Sequence, residues 1–309
     1  MAIIDLKDAL TRGQRTKGSV CITQTPQVRS GKKNDFMVGR FVNQDQDVEF
    51  KIWDEYIYGQ VLEYGTGVYQ ADVEGSEFNG QKYLTVHRIE PELDPAIKKE
   101  DFLEKVPSDN IMLMWKEIRK QLTALGVKQE CWNLIDAIIN APELEGRFMT
   151  EGAAVSHHDS LIGGLVHHTL KMLRILIALV KNNVYLKDHV DLLTMGVFLH
   201  DIGKVFEYNE LEMGPYWYAN HRVRGIEYVS KFKDDIIAAY NEAFYRQLQS
   251  IIIGHHGEFG DRPTTVAAGI VHYIDTVESQ VTELIDLEKK SSDKKIYIRD
   301  WGYLAGLDY

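Results

Sequence analysis

A histidine and an aspartate stand next to each other at the end of one apolar segment of the chain. His200 and Asp201 follow the apolar run of residues 192–199 and precede an Ile-Gly-Lys sequence. An imidazole and a carboxylate are ligand types that zinc, manganese and iron favour. Neighbouring helix side chains point about 100° apart, so both reach one ion only beyond the helix end, where Gly203 lets the chain turn away. A core histidine beside a capping carboxylate is the alternative.

Other residues of the same chemistry favour the metal interpretation. Ten of the 11 histidines lie between residues 157 and 272. His168 follows a Gly-Gly pair at the start of a predicted helix, and Asp275 lies within the last long predicted helix. With His200 and Asp201 they provide four ligands from successive helices, as in metal sites inside helical bundles. The two cysteines are far apart and form no thiolate framework, so we expect histidine and carboxylate to hold the metal.

The region that carries these residues has helical periodicity. Apolar residues recur at helical spacing in 110–150, 161–180, 190–200, 222–232, 235–253 and 264–287. We therefore predict that the C-terminal part of the chain is an all-α domain that gathers the candidate ligands in its interior.

The N-terminal part has the pattern of β-strands. From Lys17 to about residue 90, five short runs rich in Val, Ile, Phe, Tyr and Thr are separated by turn signals. Asn79-Gly80 supplies the positive φ angles of a tight hairpin turn. Five strands in a segment of this length predict a small Greek-key barrel such as the OB-fold. A fragment of a generic β-sandwich is the alternative.

A charged stretch punctuated by prolines separates the two patterns, and we interpret it as a linker. The predicted fold is therefore multidomain, a small N-terminal β-barrel followed by an all-α helical bundle. The predicted bounds are 1–92 for the β-barrel, 93–109 for the linker and 110–309 for the helical domain.

Composition limits the class of protein. Apolar residues make up 44% and charged residues 26% of the chain, as in soluble globular proteins. No apolar stretch approaches the ~20 residues of a membrane span, and the charged N-terminus is neither a secretory signal nor a transit peptide. We therefore expect a soluble, cytoplasmic protein. The net charge of −11 argues against a protein that coats nucleic acid, although residues 11–34 carry six basic and no acidic side chains.

The ordered set of His168, His200-Asp201 and Asp275 resembles the H…HD…D signature of the HD-domain phosphohydrolases. The run HDIGK is a typical form of its centre. The resemblance implies that these four side chains hold a divalent metal ion and that Asp201 bridges to a second ion.

Three more histidines look like the extra ligands of HD proteins that hold two metals. For each of them the alternative is a helix-end histidine bound to a backbone carbonyl. They are His221, His255 and His256.

Both predicted domains together resemble the YhaM family of 3′-to-5′ exoribonucleases. The resemblance covers about residues 15–290 and rests on FKIWD, GGLVHHTL, FLHDIGK and HYID. That family combines an OB-fold with an HD domain and removes nucleotides from RNA 3′ ends with divalent metal, typically manganese. This sequence departs from it at His167, where members often have an acidic residue, and over residues 208–218.

The resemblance implies a metal-dependent exoribonuclease that hydrolyses single-stranded RNA, and single-stranded DNA as a further candidate, to nucleoside 5′-monophosphates. Manganese is the favoured metal, in one or two ions, while iron, cobalt, nickel, zinc and magnesium are compatible. A homo-oligomer is also compatible, and no membrane partner is expected. Two alternatives remain: an HD-superfamily nucleotidase or cyclic-nucleotide phosphodiesterase, and a nucleic-acid-binding regulatory protein whose HD site is vestigial.

Other residues are candidates for work on the substrate. Asp201 and Lys204 are the predicted catalytic residues, with the Lys204 ammonium on a phosphate oxygen; a solvated lysine beside the helix dipole is the alternative. In the β domain, basic side chains would follow the RNA backbone while an aromatic ring stacks bases. The candidate substrate-binding residues are Lys204, His157, His158, Arg222, Arg15, Lys17, Lys32, Lys33 and Trp53.

Overall fold

The computed structural model describes residues 2–31, 34–44, 46–153, 161–209, 211–257, 260–291, 295–299 and 301–307. The chain divides into two compact units, Met1–Lys105 and Val106–Tyr309. The domain bounds given above stay a prediction.

The described residues of the first unit form six strands and two α-helices. In the fourth strand, Val48, Phe50 and Ile52 are buried in alternation, which is the period-two pattern of a half-buried strand. The elements are α1 (Leu6–Ala9), β1 (Arg15–Ile22), β2 (Gln27–Ser30), β3 (Asp35–Asn43), β4 (Gln46–Ile52), α2 (Glu55–Tyr64), β5 (Gly67–Phe78) and β6 (Gln81–Pro91).

The strand order of this unit closes the sheet on itself. The strands pair in the order β1-β5-β6-β4-β3-β2, and β1 also pairs with β3 at Cys21 and Val42. β4 and β6 run parallel, and α2 connects β4 to β5. The hairpin from β5 to β6 turns at Asn79 and Gly80, both with positive φ, as their sequence predicts. The predicted small N-terminal β domain of the OB type is therefore confirmed.

The predicted count of five strands was wrong, and α2 was not foreseen. The first predicted strand, over residues 18–28, is in fact two strands, β1 and β2, separated near Pro26. Proline lacks the N–H that a continuing strand would donate. The run that forms β4 is followed by a helix because Asp54 caps it, accepting hydrogen bonds from the backbone N–H groups of Tyr56 and Ile57.

The second unit is predominantly helical, as predicted, with two short hairpins added. Its helices are α3 (Ser108–Ala124), α4 (Gln129–Ile139), α5 (Arg147–Thr150), α6 (Gly164–Asn182), α7 (Val190–Leu199), α8 (Lys204–Glu207), α9 (His221–Val229), α10 (Lys233–Ala239), α11 (Glu242–Gly254) and α12 (Val266–Lys290). The hairpins pair β7 (Tyr208–Asn209) with β8 (Glu212–Met213), and β9 (Lys295–Ile298) with β10 (Gly302–Ala305).

Helix α7 lies in the core of this unit. All ten of its residues are buried, as expected of a helix that is apolar on every side. Gly196 of α7 lies against α11, because a Cβ built there would stand 2.6 Å from Cδ1 of Ile251. This close approach brings α7 and α11 together beside the candidate ligands at their ends.

Gly203 allows the backbone at the start of α9 to pack closely against the chain after α7. Its φ of −68° is accessible to any residue, so the expectation that its freedom turns the chain was wrong. A Cβ at this position would lie 1.8 Å from the backbone oxygen of His221. Glycine is therefore needed here to let the start of α9 approach the end of α7.

Among the helices of the described residues, none combines the length and apolar character needed to cross a bilayer.

Candidate metal centre

Two helices end in a buried histidine at this site. His200 caps the C-terminus of α7 and His255 that of α11. Each ring donates its Nδ1–H to the carbonyl oxygen three residues earlier, at 2.7 Å from His200 to Val197 and 2.8 Å from His255 to Ile252. A neutral imidazole that donates from Nδ1 presents an unprotonated Nε2. Both rings therefore offer a ligand atom, at helix ends whose dipoles favour a cation.

Asp201 lies between two groups of histidines. Its Oδ2 is 3.3 Å from Nε2 of His200, and its Oδ1 is 3.3 Å from Nε2 of His255 and 3.6 Å from Nε2 of His221. Within each group, the ligand atoms all lie within 4.8 Å of one another. The groups are His168, His200 and Asp201, and Asp201, His221, His255 and His256.

Three buried atoms of this cluster have no hydrogen-bond partner among the described residues. They are Nε2 of His200, Oδ1 of Asp201 and Nε2 of His255. An unsatisfied buried polar group costs about 1–3 kcal/mol, so three side by side indicate a further binding partner. A divalent cation accepts lone pairs from imidazole and carboxylate together. The residues present therefore fit a divalent metal ion.

His168 of α6 is held between two carboxylates of α12. Its Nε2 lies 3.2 Å from Oδ1 of Asp275, and its Nδ1 is bonded to Glu278. Asp275 thus stands beside the first group without being a member of it. Burial lowers the pKa of His168, but the two carboxylates outweigh this effect and raise the pKa to about 10. Burial likewise raises the pKa of Asp275, and His168 reverses that effect and holds the pKa below its usual range.

Glu278 is a buried residue that the sequence analysis missed. It accepts hydrogen bonds from Lys171 at 2.5 Å and from Oγ1 of Thr282 at 2.7 Å, in addition to its bond with His168. It follows Asp275 by three residues on α12, so both carboxylates occupy one face of the helix. Carboxylates that hold the far nitrogen of a ligating histidine fix its orientation and tautomer.

His221 and His256 complete the second group. His221 begins α9 and donates from Nδ1 to Glu207 at 2.6 Å, while its Nε2 lies 3.0 Å from Nε2 of His256. Glu207 is the second supporting carboxylate that the sequence analysis missed. Burial and the neighbouring His255 lower the pKa of His256 to about 3. His256 is therefore neutral near pH 7, the state in which imidazole binds a metal.

Lys204 contacts the shared carboxylate. Its Nζ lies 2.7 Å from Oδ2 of Asp201. Burial lowers the pKa of Lys204, but attraction to Asp201 outweighs it and the net shift is upward. Burial also opposes the charged form of Asp201, yet Lys204 and His200 hold its pKa well below the usual range. The ammonium and the carboxylate are both charged at neutral pH, and the contact of Lys204 with phosphate stays a prediction.

Arg222, another predicted substrate-binding residue, has its partners outside the cluster. The guanidinium of Arg222 donates to Asp261 at 2.9 Å and to the carbonyl oxygen of Ile253 at 3.1 Å, so it ties α9 to the last turn of α11 and to the segment that follows α11. Its contact with substrate stays a prediction. His157, His158, Lys32 and Lys33 lie outside the described residues.

In the first unit, the predicted basic residues of β1 pair with a carboxylate of β5. Arg15 Nε lies 2.6 Å from Asp72 Oδ1, and Lys17 Nζ lies 3.4 Å from Oδ2 of the same side chain. Trp53, which is 49% exposed, stacks on Phe36 with ring centroids 4.6 Å apart. One face of the Trp53 ring is thus covered by protein, and base stacking by Trp53 stays a prediction.

Comparisons with known proteins agree with the geometry of the second unit. Residues 165–280 match the family model of the HD domain. The protein named 3′-5′ exoribonuclease YhaM from Geobacillus sp. (strain WCH70) is 28% identical to this chain over 255 residues, which cover 79% of this chain and 76% of the relative. Its namesake from Bacillus subtilis (strain 168) is 26% identical over 265 residues, covering 80% and 79%. That from Listeria welshimeri is 26% identical over 273 residues, covering 83% and 82%.

A comparison with solved structures finds no significant match. The family model and the curated relatives confirm the predicted resemblance to the YhaM proteins. They also confirm the prediction that the chain is an enzyme of the hydrolytic class.

Proposed function

We propose that this homologue of the YhaM proteins, in which residues 165–280 form an HD domain, is a metal-dependent 3′-to-5′ exoribonuclease. It hydrolyses phosphodiester bonds of single-stranded RNA and releases nucleoside 5′-monophosphates. The observation that carries the hydrolytic part is the set of three unsatisfied buried atoms on His200, Asp201 and His255. The names of the relatives support the choice of RNA and the direction of degradation.

Each group would hold one ion. His168, His200 and Asp201, joined by Asp275, would hold the first, and Asp201 with the three remaining histidines would hold the second. A bound divalent cation lowers the pKa of water from 15.7 to near 7 and so supplies a nucleophile at neutral pH. Manganese is our proposed metal because the resemblance to the YhaM family implies it, and the carboxylate ligands are compatible with it.

The chain's own residues orient the ligands and balance charge. Glu278 and Glu207 hold the Nδ1 atoms of His168 and His221, which aims their Nε2 atoms at the cluster. Lys204 fixes the Asp201 carboxylate, and its ammonium adds positive charge where the phosphate oxygens would arrive. These contacts exist before substrate binds, so little reorganisation is required.

The first unit would hold the RNA strand upstream of the cleaved bond. Arg15, Lys17, Lys32 and Lys33 are the proposed phosphate contacts, and Trp53 the proposed stacking residue. Half of the Trp53 surface is exposed, which supports its role. Activity on single-stranded DNA, a homo-oligomeric state and a cytoplasmic location remain predictions.

The direct test is an RNA degradation assay. Single-stranded RNA labelled at its 5′ end is incubated with the protein and manganese, magnesium or chelator. We expect a ladder that shortens from the 3′ end with metal and intact RNA with chelator. Intact RNA together with consumption of cyclic dinucleotides or mononucleotides would contradict the proposal in favour of a nucleotidase or phosphodiesterase.

A substitution separates an enzyme from a binding protein with a vestigial site. Asp201→Ala removes the side chain that both groups share. We expect it to abolish metal content and RNA hydrolysis together. Hydrolysis that persists in this variant would contradict the assignment of the site.

A further inference from the structure

Three consecutive aromatic residues project from the segment that separates α8 from α9. Tyr216, Trp217 and Tyr218 are 58%, 56% and 70% exposed. Large aromatic side chains normally contribute to cores and interfaces, so three exposed in sequence mark a binding surface. This triplet, which we name the aromatic turn, lies within residues 208–218, the part of the sequence that departs from the YhaM pattern.

The aromatic turn is joined to the second metal group by a short length of chain. Tyr218 is three residues before His221, so their Cα atoms are at most about 11 Å apart. His221 lies 3.6 Å from Oδ1 of Asp201. A short length of backbone therefore connects the exposed rings to a residue of the second metal group.

The base of this segment is fixed to the supports of the site. The backbone N–H of Gly214 donates to the carbonyl oxygen of Glu207 at 2.8 Å, and the Glu207 side chain holds His221. The backbone N–H of Leu211 donates to Glu151 at 3.1 Å, and Arg147 pairs with Glu151 and bonds to the carbonyl of Tyr208. The aromatic turn thus has an anchored base and a solvent-facing tip.

The chemistry of the tip suits a nucleobase. The eight residues 213–220, MGPYWYAN, carry no charged side chain in a chain of net charge −11, so they do not repel a phosphodiester. Trp217 and Tyr218 meet at 77°, and Tyr216 and Tyr218 at 85°, with centroids 6.3 Å apart in each pair. In an edge-to-face contact the edge of one ring meets one face of the other, so each ring keeps at least one face that its partner does not cover, and base stacking uses the faces.

We propose that the aromatic turn is a stacking subsite for the bases next to the 3′ end of a single-stranded RNA, with Trp217 as its principal ring. The proposal rests on the proposed function, because it takes the occupant of the metal centre to be a polynucleotide. Stacking tolerates any base, so the subsite would hold the 3′ end in place without imposing sequence.

The test compares Trp217→Ala with Trp301→Ala, which removes a tryptophan of similar exposure, 63%, from the β9–β10 hairpin. With manganese and an RNA oligonucleotide, we expect KM to rise about tenfold in Trp217→Ala and to stay unchanged in Trp301→Ala. Turnover of bis(p-nitrophenyl) phosphate, which lacks a base, is expected to match the wild type in both. An RNA with abasic residues at its 3′ end is expected to have a raised KM for the wild type, with no further rise in Trp217→Ala.

Equal RNA KM values for Trp217→Ala and the wild type would overturn the subsite and leave the exoribonuclease standing. Loss of small-substrate turnover in Trp217→Ala would also overturn it, since the ring would then be supporting the site itself. A wild-type dimer that Trp217→Ala dissociates, with RNA KM unchanged, would assign the surface to a second copy instead.

Binding of the manganese-loaded protein to an RNA analogue whose 3′-terminal linkages resist hydrolysis separates this proposal from the function itself. Weaker RNA binding by Trp217→Ala than by Trp301→Ala, measured by fluorescence anisotropy, supports the subsite even if the protein hydrolyses no RNA. Equal binding by the two variants opposes it.

Discussion

The two units of the molecule treat their predicted functional residues differently. In the helical unit, His168 of α6 meets His200 and Asp201 at the end of α7, and the cluster contains buried atoms without a hydrogen-bond partner among the described residues. In the β unit, Arg15 and Lys17 are neighbours on one strand whose charges are met by Asp72. The first arrangement is costly without a ligand, whereas the second is satisfied as it stands.

This difference indicates how strongly each set depends on a ligand. Unsatisfied buried acceptors cost free energy that a bound cation would recover, so the helical cluster is expected to respond sharply to single changes. An exposed ion pair contributes about 0–1 kcal/mol, so the β1 residues are expected to respond weakly. The experiments below test this contrast in order of decreasing effect.

The largest effect is expected from Asp201→Asn. The amide keeps the shape of the side chain but removes the charge that both groups share, and leaves Lys204 without its partner. We expect RNA hydrolysis to fall on the order of 10³-fold or more, beyond the 10–100-fold typical of residues that only support ligands. Rate assays and metal content by mass spectrometry measure this. If this variant keeps its metal and its hydrolysis rate, the helical cluster is no more sensitive to substitution than the β unit, and the contrast between the two units is lost.

A smaller loss is expected from Glu278→Gln. The substitution weakens the bond that orients His168 but leaves all proposed ligands in place. We expect about 10–100-fold weaker manganese binding by calorimetry. The matched control is Glu283→Gln, an exposed residue of the same helix, which should bind manganese as the wild type does. Equal affinities in the two variants would show that the outer carboxylate does not support the site.

Gly203→Ala probes the packing behind the cluster. The new methyl group meets the backbone oxygen of His221, which cannot move without shifting α9. We expect a loss of about 1–3 kcal/mol in the free energy of unfolding, measured in urea. Gly269→Ala is the control, because no atom lies within 4 Å of its Cβ and alanine favours a helix, so it should stabilise by up to about 1 kcal/mol. Equal stabilities would show that the close approach is relaxed in solution.

The smallest effect is expected from Arg15→Ala, with a defined pH dependence. The hydrogen bond from Arg15 lowers the pKa of Asp72 in the folded protein. A lowered folded pKa adds stability above the unfolded pKa, near 3.9, that is lost as pH falls below it. We therefore expect a small loss in the free energy of unfolding at pH 7 that shrinks toward pH 3, as measured by urea unfolding. Arg29→Ala on β2 serves as the control. A difference in unfolding free energy between Arg15→Ala and the wild type that stays constant across pH would contradict this account.

The features that could be predicted from the sequence are those that depend on the types of the candidate ligands and on their order along the chain. His200 and Asp201 could be proposed as ligands because a polar pair at the end of an apolar helix has few structural uses, and His168 and Asp275 followed from the ordered motif; the structure brings the four side chains close together. The strand pattern predicted the β domain because alternation reports burial directly. These features are local, or their order along the chain carries the information.

What the sequence could not predict depends on three-dimensional approach. Glu278 looked like any helical glutamate until its face of α12 was seen to meet His168. The glycine at 203 was given the wrong reason because its contact is with His221, far along the chain. The pairing of Arg222 with Asp261 is likewise long-range. Such contacts join residues whose separation carries no periodic signal.

The capping histidines of α7 and α11 have a consequence for the order of events. Both helices direct the negative ends of their dipoles toward the cluster that already contains the carboxylate of Asp201, with the carboxylate of Asp275 beside it. Without a cation, that field opposes the entry of a phosphodiester. The cation should therefore bind before the RNA does. When divalent metal is scarce, the affinity for the RNA 3′ end should fall and cleavage should slow.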